Sequence, residues 1–162
     1  MKRTAWVGVL AFIADRVTKQ LAAETLRIGE TRVLWDGVLQ LTHARNTGIA
    51  FSILADRTWL LIVVSALALI LLVEAFRRTL RRAPVYDAAL WLLLAGGVGN
   101  LADRLCYGYV IDFISPQFLR FPVFNLADVC LTVSAAFLVF ALLRSSGIKE
   151  KDARNTDEQS AA

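Results

Sequence analysis

Carboxylates and amides gather where this chain passes into and out of apolar runs. Asp112 closes one run and Asp128 opens the next, with Ser115, Pro116, Arg120 and Pro122 in the short segment between. Asp15, Arg16 and Lys19 follow the first run, Asn46 precedes the second, Asn100, Asp103 and Arg104 end the third, and Asn125 stands just before Asp128. An acid beside membrane-length apolar sequence is costly unless it is paired or used. Two acids in one low-dielectric site cannot both ionise cheaply, so one keeps a proton while the other stays charged. Such a pair holds an acid and a base at a single water, which it can activate against an amide carbonyl before protonating the leaving nitrogen. There is no G-x-S-x-G and no H-E-x-x-H, and the one histidine, His43, offers no usable Ser-His pair. Aspartyl chemistry is the hydrolytic option that is left.

The tetrapeptide Asn-Leu-Ala-Asp occurs twice, at Asn100 to Asp103 and at Asn125 to Asp128. On a helix, positions i and i+3 share a face, so each copy can present an amide and a carboxylate together. Taken alone, the repeat pairs Asp103 with Asp128. For any single acid the structural alternative is an ion pair with Arg16, Arg104 or Arg120, or a helix cap, for which Asp128 at a helix start is well placed.

The elements that must position these groups are helices in a membrane. Apolar residues make up 57% of the 162 residues and are gathered into runs, which reads as one integral membrane domain over 1–148 with a polar, disordered cytoplasmic tail over 149–162. Four segments can span: Thr4 to about Ala23, Thr58 to Phe76, Asp87 to about Leu105, and Asp128 to Leu143. A crossing takes roughly 20 mainly apolar residues, and these uncharged stretches are somewhat short, so their charged ends belong in the interfaces or in a cavity. The start, Met1-Lys2-Arg3 before an apolar run, imitates a secretory signal, but Asp15, Arg16 and Lys19 replace the small residues of a cleavage site, and the run reads as a retained first helix.

The 18 Lys and Arg, for a net charge of +4, cluster near the ends of the runs, a pattern of topology and not of nucleic-acid binding. Arg77, Arg78, Arg81 and Arg82 share a side with Lys2, Arg3 and the basic residues after Arg144. By the positive-inside rule that face is cytoplasmic, with both termini inside and Ala23 to Arg57 and Cys106 to Asn125 outside. In the first outer loop, Arg32 to Trp35 and Val38 to His43 read as two strands about an Asp36-Gly37 turn. A lone hairpin is marginal in water, so this one must lie on the membrane surface or over the helices. His43 is an ordinary strand residue, having no second histidine to share a metal. Cys106 and Cys130 read as buried helix thiols.

Five blocks in order, Asp15-Arg-Val-Thr-Lys19, Asn46-Thr-Gly-Ile-Ala-Phe-Ser52, Gly96-Gly-Val-Gly-Asn-Leu-Ala-Asp-Arg104, Val110-Ile-Asp-Phe113 and Phe124-Asn-Leu-Ala-Asp128, make the chain resemble the bacterial lipoprotein signal peptidases, also called signal peptidase II. The resemblance covers about residues 4 to 143. It implies a mainly α, four-helix aspartyl endopeptidase of the bacterial inner membrane that cuts the signal peptide from diacylglyceryl-modified prolipoproteins just before the lipidated cysteine. It also implies that the catalytic acids are Asp112 and Asp128, in place of the pairing the repeat suggests. By the same likeness Asn46 and Arg104 would hold the substrate backbone, Asp15, Asn100 and Asp103 would support the site, and Asn125 matches a further polar position of the family. An outer β-cradle, supplied here by the hairpin, and a mobile loop or short helix over the site, within Cys106 to Phe124, complete the implied architecture. No metal or organic cofactor is called for, the substrate partner is a lipidated protein met in membrane lipid, and nothing requires more than a monomer.

Two other classes compete. A proton- or cation-coupled transport subunit would use Asp15, Asp103, Asp112 and Asp128 as a path, yet the inner halves of the helices offer only Glu74, Asp87 and scattered hydroxyls to continue it. A membrane scaffold would use Gly96, Gly97 and Gly99 for close packing but leaves the doubled Asn-Leu-Ala-Asp without a purpose.

Overall fold

The computed structural model describes residues 4–48, 57–79, 84–119, 121–141 and 143. The tail, Arg81, Arg82, Arg120 and positions 49–52 of the second block lie outside the described residues. Four helices form where the apolar runs were read: α1 (Ala5–Thr25), α2 (Thr58–Thr79), α3 (Pro84–Tyr107) and α4 (Leu126–Ala141). Each of the first three continues beyond the apolar stretch into charged sequence. Backbone hydrogen bonds are satisfied inside a helix whatever its side chains are, so the ladder runs on into polar residues that find partners. Among the described residues, Thr58–Arg78 is the one stretch long and apolar enough by itself to cross a membrane. The rest of α1 and α3 carries the acids and bases of the site.

The hairpin forms as read, from β1 (Thr31–Trp35) and β2 (Leu39–Asn46). Val38 N–H donates to the Trp35 carbonyl at 3.0 Å, and Gly37 takes a φ of 71°, which an L side chain resists. The support the hairpin needs is a third strand, β3 (Val110–Pro116), which pairs antiparallel with β2 in the order β1-β2-β3. The stretch Cys106 to Phe124, within which a loop or short helix over the site was expected, thus also holds a buried strand, and Asp112 stands on it. Val110-Ile-Asp-Phe-Ile lacks the polar alternation of a half-exposed strand because both faces are covered, and its residues 110 to 113 are all buried. His43 is buried on β2, and its Nδ1 lies 2.9 Å from the Leu26 carbonyl. A carbonyl only accepts, so Nδ1 carries the proton. Cys130 is buried as expected, whereas Cys106 is exposed near the end of α3; both are free thiols.

The interior divides in two. At one end Phe76 of α2, Ala89 and Leu93 of α3 and Leu138 of α4 make an apolar core. At the other, where the sheet sits, Asp15, Lys19, Asn100, Asp103, Asp112 and Asn125 are all buried. Between these zones α3 and α4 nearly touch: a β-carbon added at Gly96 would overlap the Ala127 carbonyl oxygen, and one at Gly99 would lie 2.8 Å from Asp15 Oδ2. Replacing Gly96 by Ala therefore has to push the start of α4 away. It should lower stability by about 1–3 kcal/mol, read as a drop in the thermal unfolding midpoint of the detergent-solubilised protein.

Candidate active site

The site is built around the first turn of α4. A helix that begins in a low-dielectric interior must have its free N–H groups met by side chains. Asn125 is the N-cap: its Oδ1 accepts from Asp128 N–H at 3.0 Å while Asp128 Oδ2 accepts from Asn125 N–H at 3.2 Å. That reciprocal pair is a capping box with Asn and Asp in the usual Ser/Thr and Glu positions. Ala127 N–H, between them, donates to Asp15 Oδ1 of α1 at 2.9 Å. Just upstream, Phe124 is tied to β3: it donates to the Ile114 carbonyl and accepts from the amides of Phe113 and Ile114. The N-terminus of α4 and the strand bearing Asp112 are thus fixed to one another.

The two copies of Asn-Leu-Ala-Asp do different work. The copy in α4 straddles a helix start. The copy inside α3 faces both ways: Asn100 Nδ2 donates to Asp128 Oδ1 at 2.7 Å, while Asp103 turns to α1. Asp103 lies 2.8 Å from Lys19 Nζ and 2.5 Å from Arg16, Lys19 is also 3.0 Å from Asp15 Oδ2, and Lys19 Nζ donates to Asn100 Oδ1 at 2.8 Å. Two cations and two carboxylates balance one another in that buried cluster. This is why Asp103 is not the partner of Asp128 that the repeat alone suggests.

Asp112 and Asp128 are held by amides instead. Asp112 Oδ2 accepts from Asn46 Nδ2 at 2.9 Å and its Oδ1 from Asn125 Nδ2 at 2.6 Å. Among the described residues, no cation lies within ion-pair distance of either acid. Asn125 serves both, through its side chain to one and its backbone to the other. Burial raises the Asp112 carboxyl to about 6, and the charge of Asp128 adds to the rise, against the hydrogen bonds from Asn46 and Asn125 and the more distant Lys19.

Both acids line one cleft of about 450 Å³, together with Asn46, Gly48 and Arg104. Arg104 is only lightly engaged, with 3.4 Å contacts to the carbonyls of Asn100 and Gly48 and no hydrogen bond at Nε. The rest of the lining is mainly apolar, from Phe121, Pro122, Val123 and Phe124 of the loop and Val129 and Val133 of α4, with Thr132 between. Val133 is more than half exposed. No group of three or more potential metal ligands occurs among the described residues.

Of the eight residues singled out from the sequence, Asp112, Asp128, Asn46 and Arg104 face the cleft, Asn100 and Asn125 stand behind it, and Asp15 and Asp103 belong to the ion cluster. Lys19 and Arg16, grouped with these residues in the sequence but given no role there, supply the cations of that cluster. The signal for Lys19 was present: a lysine one helical turn after Asp15, at the end of an apolar run. At the other end of the bundle the described residues Phe76, Ala89, Leu93 and Leu138 make an apolar core, so the transport reading gains no support.

Comparison with known proteins agrees with this geometry. A family model described as Signal peptidase (SPase) II matches residues 7–144. The lipoprotein signal peptidase of Lactiplantibacillus plantarum is 34% identical over 149 residues, covering 90% of this chain and 99% of that protein. That of Dehalococcoides mccartyi is 43% identical over 148 residues and 88% of each chain. A solved structure described as a bacterial membrane enzyme, obtained by the in meso method at 2.3 Å resolution, superposes with a TM-score of 0.81 at 32% identity over 92% of both chains. The chain therefore belongs to the signal peptidase II family, membrane peptidases of aspartic type.

Proposed function

We propose that Asp112 and Asp128 are the catalytic pair of this peptidase, acting on one water held between them. The observation that carries the reading is the shared cleft, in which two acids with no cation partner among the described residues are joined through Asn125. In the active form Asp112, the acid of the strand, carries the single proton of the pair and Asp128 is the base. As the water oxygen attacks the scissile carbonyl, Asp128 takes its proton and Asp112 donates one to the carbonyl oxygen. The tetrahedral intermediate then returns that proton to Asp112 as the C–N bond breaks, and Asp128 passes its proton to the leaving nitrogen. Asn46 and Arg104, on the same wall, hold the substrate backbone in line.

The substrate is a diacylglyceryl-modified prolipoprotein, cut before its lipidated cysteine. The apolar wall of Val129, Thr132 and Val133 suits a lipid-bearing chain arriving sideways, since each buried CH₂ contributes about 0.8 kcal/mol. All four helices cross the bilayer of the bacterial inner membrane. Exposed apolar side chains on every one of them support this, among them Leu10 and Ile13, Ile70 and Leu71, Val98, and Val133 and Phe140. Exposed Trp6 and Trp59, at the starts of α1 and α2, suit opposite interfaces, and the basic α2-to-α3 loop suits the cytoplasmic side with both termini. The site then lies at the periplasmic rim, where water and lipid are both available, and the protein works as a monomer without a cofactor.

Asp112→Asn and Asp128→Asn, each purified in detergent and given a lipid-modified prolipoprotein, should both lose cleavage by at least about a thousandfold while keeping the wild-type fold by circular dichroism. Retained cleavage in either removes that acid from the mechanism. A second measurement tests the placement of that proton. Because the Asp112 carboxyl is raised from its ordinary value to about 6, the folded state binds the extra proton between pH 4 and 6. Stability from this group is therefore highest below pH 4 and falls as pH rises to 6. In unfolding titrations, the stability of Asp112→Asn relative to wild type should improve by up to about 3 kcal/mol from pH 4 to pH 7; an unchanged difference would put the proton elsewhere.

A further inference from the structure

Lys19 is almost wholly buried and does not line the cleft, yet one of its contacts reaches the catalytic machinery. We infer that Lys19 is a positioning residue of the reaction, whose ammonium fixes the polarity of the Asn100 amide and, through it, the donors that Asp128 and Asp112 receive. The inference rests on the assignment of those two acids as the catalytic pair.

An Asn side chain is nearly symmetrical in shape, and its neighbours decide which end is the acceptor. An ammonium has three donors and no acceptor. With Lys19 Nζ at 2.8 Å, only the oxygen of Asn100 can face it, so Nδ2 is turned to Asp128 Oδ1. The same oxygen accepts from Asn125 Nδ2 at 3.2 Å, and that nitrogen also donates to Asp112 Oδ1. One cation therefore orders two amides, and each amide delivers a donor to a different catalytic acid. Without the ammonium, Asn100 Oδ1 keeps a single 3.2 Å bond among the described contacts, and a flipped amide would set an oxygen against the Asp128 carboxylate.

The other amides of the site are polarised by backbone N–H groups: Asn46 Oδ1 by Gly48 and Asn125 Oδ1 by Asp128. Asn100 lies in the middle of α3, where the backbone amides are already engaged in the helix, so a side chain has to supply the donor. Asp15 and Asp103 meet the rest of the Lys19 charge and hold it in place. The charged groups around this centre are Asp15 and Arg16 on α1, Asp103 and Arg104 on α3, Asp112 on β3 and Asp128 on α4.

The test compares Asp103→Asn with the charge-balanced double variant Lys19→Met/Asp103→Asn, which removes one cation and one anion and keeps the fold where Lys19→Met alone does not. The double variant should keep the KM of Asp103→Asn within about threefold and lose about a hundredfold in kcat. Its pH-rate profile should move to higher pH, because the ammonium favours the ionised form of Asp112. Adding Lys19→Met to the double variant Asn100→Ala/Asp103→Asn, which keeps the charge balance, should cost nothing further, since Lys19 and Asn100 act through the same amide. A kcat within threefold of Asp103→Asn, an unmoved profile, or a further loss on top of Asn100→Ala/Asp103→Asn overturns the role of Lys19 and leaves the catalytic pair standing. Cleavage by Asp112→Asn in the same assay overturns the catalytic pair, and the role of Lys19 falls with it.

Discussion

The hydrogen bond from Ala127 N–H to Asp15 ties the first helix to the last across the interior. A helix start carries unsatisfied N–H groups and the positive end of the helix dipole, so it cannot be left bare in a low-dielectric core. Here the requirement is met by Asp15 from α1 and by the Asn125 and Asp128 box of α4 itself. The glycines of α3 let α4 and Asp15 come close enough for those bonds to form. What looks like equipment for chemistry is, at this position, also what allows a helix to begin where it does. Asp128 belongs to both accounts, as half of a capping box and as a wall of the cleft.

The carboxylates at this end of the bundle fall into two kinds by the partners they were given. Asp15 and Asp103 share the charges of Lys19 and Arg16, a buried arrangement in which removing any one member leaves an uncompensated charge. Asp112 and Asp128 receive neutral amide and backbone donors. Amides orient an acid without fixing its charge, whereas an ion pair holds it in the charged form. The same sheet that carries Asp112 also sits at the polar end of the bundle, so that the acid is buried yet lines the cleft.

Much of this was legible in the chain. The apolar runs marked four helices to within a few residues, because hydrophobic length is a property of contiguous sequence. The Asp36-Gly37 turn marked the hairpin through local backbone preference. The ordered blocks marked the family. The strand from Val110 to Pro116 was not legible: a strand covered on both faces has no alternation to read, and its partner, β2, is some seventy residues away in the chain. The division of labour between the two Asn-Leu-Ala-Asp copies was hidden for the same reason, since identical tetrapeptides present identical spacing whatever faces them.

The sequence by itself determined that acids and amides would sit near the ends of apolar helices, and which residues they are. Only the tertiary structure decided their partners: Asp103 with Lys19, Asp128 with Asn100, Asp112 with Asn46 and Asn125. Composition and spacing act along the chain, whereas the state of a buried acid depends on the few groups within about 3 Å of its oxygens. In this fold those groups come from three helices and a sheet that meet only when the chain is closed.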